Sequence, residues 1–264
     1  MNGGAINADA AQLLAQLPFW AFGFVLVLAR AGSACMLLPG IGETELPSTI
    51  RAGFAITLTV VLLPVIAPHL PPAPGDVAHC LAMLVAEIVT GLWLGWLARL
   101  LLLALPIAGQ IIASVIGQAN VLQPDPTLGP QTAALSSLLG MAAIVAVLAT
   151  GLHRLPFAAL AGSYDLIPPG TFLPAADTAN QVTRAVADAF ALALRLAAPF
   201  VLAHLVWQTG LGVLARLVPQ FQVYFVAIPG QILLGLLLLG VLATSLLAVW
   251  QDYAAAHFAA LPGL

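Results

Sequence analysis

Six long apolar runs, separated by short stretches rich in polar residues, proline and glycine, set the pattern of this chain. They cover residues 19–38, 51–66, 81–105, 133–152, 185–206 and 223–250. A helix needs about 18 to 20 apolar residues to cross bilayer hydrocarbon, so the runs predict about six membrane-length helices, the 51–66 run being the shortest. Pro64 and Pro68 edge that second run, and the third has room to continue to Leu122 past a kink at Pro106. The punctuation reads "PGIGETELPST", "PHLPPAPGDVAH" and "YDLIPPGTFLPAADTANQ". None of it has the length of a soluble domain. The pattern predicts an all-α, polytopic membrane protein of kinked or broken hydrophobic helices, arranged as helical hairpins in one domain over residues 1–264.

Composition sharpens this picture. Of the 264 residues 62% are hydrophobic and 6% charged, against about a quarter charged in soluble domains, and the mean hydropathy is +1.07. There is no lysine, the seven positive charges are all arginine, and the formal net charge is −3. Such a balance offers no basic patch for nucleic acid. The opening "MNGGAINADAAQLLAQLPFW" has no Lys or Arg ahead of its apolar run, so the first helix is expected to stay in the mature protein rather than be cleaved. Cys35 and Cys80 read as small buried hydrophobes, and the five histidines lack metal-ligand spacing, so no metal or other cofactor is expected.

Orientation is not legible from charge. With six alternating spans, Arg51 and Arg216 fall on one side and Arg154 and Arg184 on the other, which leaves the positive-inside count tied. Several charges lie inside apolar runs, among them Arg30, Glu87, Arg99 and Arg195. Each should face protein or water, as an interhelical ion pair or as a functional group. In "EIVTGLWLGWLAR" Glu87, Gly91, Gly95 and Arg99 recur every fourth residue. That spacing puts Glu87 and both glycines on one stripe suited to close helix packing, and a proton relay would need further acidic or histidine partners. Short echoes such as "VLAR" at 27–30 and 213–216, and "GQII" at 109–112 against "GQIL" at 230–233, are what chance yields in an Ala/Leu-rich chain. Neither a protease constellation nor a phosphate-binding loop with lysine is present, so no residue is nominated for catalysis.

Several motifs together resemble a known family. Phe24 to Pro64 holds an LAR segment with Arg30, a turn with Pro39 and Gly42, a Leu-Pro step at Pro47 and Arg51 at the start of the second helix. Further on come "AEIVTGLWLG" (86–95), "AGQIIASVIGQANVLQPDP" (108–126), "GLHRL" with His153 and "PPG" at 168–170. The last third carries Pro199, the "LGVLAR" step ending in Arg216, and the Pro219–Gln220 turn. In this order, over nearly the whole chain, these features resemble the FliR/SctT family of type III export gate subunits. The resemblance implies a non-enzymatic subunit of the flagellar export gate in the bacterial inner membrane at the basal body. It implies assembly with FliP and FliQ, contact with FlhB and FlhA, and passage of unfolded flagellar proteins. The virulence-type injectisome subunit is the neighbouring reading. A self-contained solute transporter using broken helices and buried charge is the third.

The resemblance also implies a role for "GQANVLQPDPTLGPQ", residues 117–131, as a plug projecting into the export channel. Gly117 ends a helix at low cost, and Pro124 and Pro126 oppose its restart before Gly129 and Pro130. Irregular backbone within a membrane protein is tolerated where protein buries it or where it lines a water-filled cavity. In that setting Val121 and Leu122 supply an apolar constriction, Gln118, Asn120 and Gln123 offer amides to neighbours, Asp125 caps the following turn, and Ala119 belongs to the same plug segment. An ordinary solvent-exposed loop is the competing reading of the same residues.

Overall fold

The computed structural model describes residues 3–43, 46–117, 134–217 and 223–264. Seven α-helices follow in chain order among these residues: α1 (Gly3–Cys35), α2 (Ser48–Ile66), α3 (Val77–Val115), α4 (Ala134–Ala149), α5 (Arg154–Leu166), α6 (Ala175–Leu217) and α7 (Val223–Phe258). A short 3-10 turn, Ala67–His69, follows α2. No strand occurs among the described residues. Among the described residues five helices are long and apolar enough to cross a membrane; a sixth span arises if α4 and α5, bent by 70° at their junction, count as one.

The helices extend past the apolar runs where polar residues occupy one face. α1 begins at Gly3, well before residue 19, and continues through Pro18. α6 begins ten residues ahead of the 185–206 run, because Asp177, Gln181, Arg184 and Asp188 share one exposed face and lower the mean hydropathy without disfavouring helix. α3, α6 and α7 run uninterrupted through Pro106, Pro199 and Pro229, so these prolines do not break their helices. Pro219 lies outside the described residues. A sharp bend falls instead between α4 and α5, at the Thr150–His153 turn. With 39, 43 and 36 residues, α3, α6 and α7 are about 58, 64 and 54 Å long at the helical rise. None can stand upright inside about 30 Å of hydrocarbon.

Two compact units make up the chain, and each holds part of α3. The first comprises residues 1–99, 152–182 and 258–264. Its apolar centre joins Val27 of α1, Leu62 and Ile66 of α2, Leu70 after the 3-10 turn, and Tyr164 of α5, with Phe19, Leu58 and Leu63 around them. The second comprises residues 100–151 and 183–257. There α4 crosses α3 closely at Gly109, where a Cβ would stand 2.8 Å from Ser136 Cα. The Ser136 hydroxyl donates to the Pro106 carbonyl at 2.8 Å. Trp250 of α7 is fully buried and its indole N–H donates to the Leu101 carbonyl at 3.2 Å. Outer helix faces remain apolar: Val61, Val65, Leu237 and Val241 are all well exposed. Such faces suit lipid or further apolar helices.

Candidate functional site

Within the first unit the densest polar arrangement is buried between helices. Arg30 of α1 and Glu87 of α3 are both fully buried. The guanidinium meets the carboxylate in a two-pronged pair: Nε donates to Oε2 at 2.7 Å and Nη2 donates to Oε1 at 2.9 Å. Nη1 donates to the carbonyl and hydroxyl oxygens of Ser163 on α5, each at 3.2 Å, and Nη2 donates again to the Ile167 carbonyl at 3.0 Å. All five guanidinium hydrogens are thereby used. Oε1 of Glu87 also accepts from the Gly170 amide at 2.7 Å. The Tyr164 ring lies 4.1 Å from the centre of the guanidinium, which adds a cation–π contact in a desolvated setting.

Local sequence explains how these groups reach one another. The "PPG" turn reverses the chain after α5, and Gly170 adopts φ +83°, a left-handed conformation that an L side chain resists. A Cβ at this glycine would also collide with the Met83 side chain on α3. The turn can therefore press its amide onto Glu87. One helical turn beyond Glu87, Gly91 rests against the Arg30 carbonyl and the Ser33 hydroxyl of α1; a Cβ there would overlap both. At Gly95 a Cβ would come 2.8 Å from the Ala34 carbonyl and 2.9 Å from Leu37 Cβ. The Glu87, Gly91 and Gly95 stripe thus receives α1 of the same chain, not a helix of another subunit.

The other singled-out charges lie elsewhere. Arg99, three turns further along α3, faces Glu43 from the loop after α1, with contacts at 3.1 and 3.3 Å and both side chains partly exposed. Arg195 and Arg216 are exposed on α6, Arg216 in its last turn, and neither joins an ion pair among the described residues. Gly117 closes α3 with φ +85°. Gln118, Ala119, Asn120, Val121, Leu122, Gln123, Pro124 and Asp125 lie outside the described residues.

Sequence reasoning did not reach Ser163, Tyr164, Ile167 or Glu43. The first three belong to α5 and its end, a 13-residue helix too short and too polar to register as an apolar run. Its only advance signal is the recurrence of Pro156, Ala159, Leu160, Ser163 and Tyr164, its buried residues, at three- and four-residue spacing. Chemically, the arrangement ties three helices and a turn together through one charge pair whose hydrogen-bonding capacity is spent internally. It leaves no free donor on Arg30 for a substrate.

Comparison with known proteins places this junction in context. Residues 21–256 match the family model described as bacterial export proteins, family 1. The chain belongs to that family. The matched span includes Arg30, Glu87, Ser163 and Gly170 together, so the whole junction lies inside the family's common region. Among individual relatives of this export family, the chain is 32% identical over 234 residues to the flagellar biosynthetic protein FliR of Caulobacter vibrioides, covering 89% of this chain and 93% of that protein. To the FliR protein of Escherichia coli it is 25% identical, covering 90% and 88%. It is also 27% identical to the Yop proteins translocation protein T of Yersinia pestis, covering 82% and 84%.

Proposed function

We propose that this chain is a channel-building subunit of the flagellar type III protein export gate in the bacterial inner membrane, with residues 1–264 acting as one functional unit. The observation that carries the reading is similarity to proteins named FliR that extends over nine-tenths of both chains. The long apolar helices fit a multi-pass location. FliP and FliQ are the proposed partners within the gate, FlhB and FlhA the proposed neighbours, and unfolded flagellar proteins the cargo. Similarity to the Yop protein supports an injectisome role as the second reading; the higher identity to the Caulobacter protein favours the flagellar one. A self-contained solute transporter draws no support from Arg30 and Glu87, since a buried charge pair that is fully hydrogen-bonded has nothing left to offer a solute.

In the same reading residues 117–131 plug the resting channel. Deleting Ala119–Gln123 should leave the gate assembled while cells begin to leak small ions, with export retained because the deleted residues obstruct the path without driving cargo. A solvent-exposed loop would instead tolerate the deletion silently. The function itself is tested by deleting the gene and assaying filament protein in the medium and swimming. Both should vanish and return with the intact gene. Normal secretion in the deleted strain would overturn the proposal.

A further inference from the structure

In the second unit, a side chain from α7 closes the end of α3. The last carbonyls of a helix have no partner within it, and at the end of α3 one of them is met from far along the chain. Gln231 donates through Nε2 to the Val115 carbonyl at 2.8 Å. The same Nε2 lies 3.2 Å from Nδ1 of His204 on α6. An amide nitrogen carries two hydrogens, so Gln231 serves both acceptors when His204 holds its own proton on Nε2. Gln208, one turn along α6, has its amide nitrogen 3.4 Å from that Nε2, and in this tautomer it pairs with His204 by turning its amide so that the oxygen accepts. One turn beyond Gln231 on α7, Gly235 lets Ile116 lie directly on the helix backbone; a Cβ at Gly235 would come 2.7 Å from Ile116 Cβ. Gly117 follows at once, with φ +85° and room for a Cβ only 3.4 Å from Gln231 Nε2.

We propose that Gln231 is a positioning residue that fixes the last turn of α3 on α7 up to Gly117, the residue that precedes the segment assigned above as the plug. This rests on the gating reading of residues 117–131. The chemistry is specific: a hydrogen-bond donor that reaches the Val115 carbonyl is needed at 231, and apolar bulk does not replace it. His204 orients the amide, and Gly117 supplies the turn.

The test uses the assembled gate in its own cells, with Gln231→Met and Gln231→Lys. Methionine keeps length and packing and loses the donor; lysine keeps a donor that reaches the Val115 carbonyl. Hydrogen exchange of the purified gate reads the latch directly at the amides of Ile116 and Gly117, which bond to Ile112 and Ser114 carbonyls at 2.9 and 3.3 Å. Exchange there should rise about fivefold in the methionine variant, the effect of one lost hydrogen bond, and stay near wild type in the lysine variant. Ion leakage should follow the same order. A second perturbation of the same junction, Gly117→Ala, should raise both readouts without touching Gln231. Unchanged exchange in Gln231→Met would overturn the proposal, with Gly117→Ala showing that the measurement responds to loosening of this turn, as would increased exchange without leakage when deletion of Ala119–Gln123 does leak. If that deletion is itself tight, the gating reading fails instead, and the exchange data still decide whether Gln231 holds α3.

Discussion

Replacing Glu87 with alanine should unseat α1 from α3 and α5. The variant loses both charge-assisted bonds to Arg30, at 2.7 and 2.9 Å, and strands the Gly170 amide that now donates at 2.7 Å. It also leaves a guanidinium with no exposure to water and only Ser163 and Ile167 as partners. Removing one member of a buried pair costs about 3–5 kcal/mol, because the remaining charge is uncompensated. For a chain of this size that is a fall in melting temperature of roughly 10 °C. The assay is thermal unfolding of the detergent-solubilised gate, with the yield of this chain per cell as a second reading. Arg30→Met combined with Glu87→Leu removes both charges and should recover about 2 kcal/mol of the single-variant loss. Recovery stays incomplete because Ser163, Ile167 and Gly170 lose their partner. A Glu87→Ala gate that melts within about 2 °C of wild type would refute the reasoning, as that shift corresponds to under 1 kcal/mol.

Gly91→Leu and Gly95→Leu should each cost about 3 kcal/mol by forcing α1 off α3, and the loss should show in the stability of this chain even when other gate subunits are in excess; wild-type yield for both would contradict the packing described. Gly170→Ala should cost about 1–3 kcal/mol through left-handed strain and contact with Met83, read as a lower melting temperature. Glu43→Ala, which frees the partly exposed Arg99, should cost about 1 kcal/mol or less. A Glu43 effect equal to that of Glu87 would show that burial is not what sets the magnitude.

Much of the helical framework was legible because hydrocarbon burial demands long apolar runs, and α2, α4 and α7 are little else. α1 and α6 were underestimated at their starts for the opposite reason. Residues such as Asn7, Asp9, Gln12, Asp177 and Arg184 cut the mean hydropathy while remaining compatible with helix. α5 was invisible to a search tuned to membrane length. Arg30 and Glu87 could each be marked as a costly charge needing a partner, but 57 residues separate them in sequence, and no periodicity spans that distance. Ser163 and the Ile167 carbonyl become readable only once α5 exists. The prolines did not mark where the described helices are interrupted. A long helix packed on its neighbours continued through Pro106, Pro199 and Pro229, while the sharp bend fell at the Thr150–His153 turn between α4 and α5.

The most direct test of the export-gate assignment is the composition of the complex around this chain. Affinity purification of the tagged protein from its own membranes, followed by native mass spectrometry, should yield a hetero-oligomer containing FliP and FliQ, with the present chain scarce when they are absent. Recovery as a monomer or homo-oligomer at normal abundance, with transport of a small solute after reconstitution, would contradict the account.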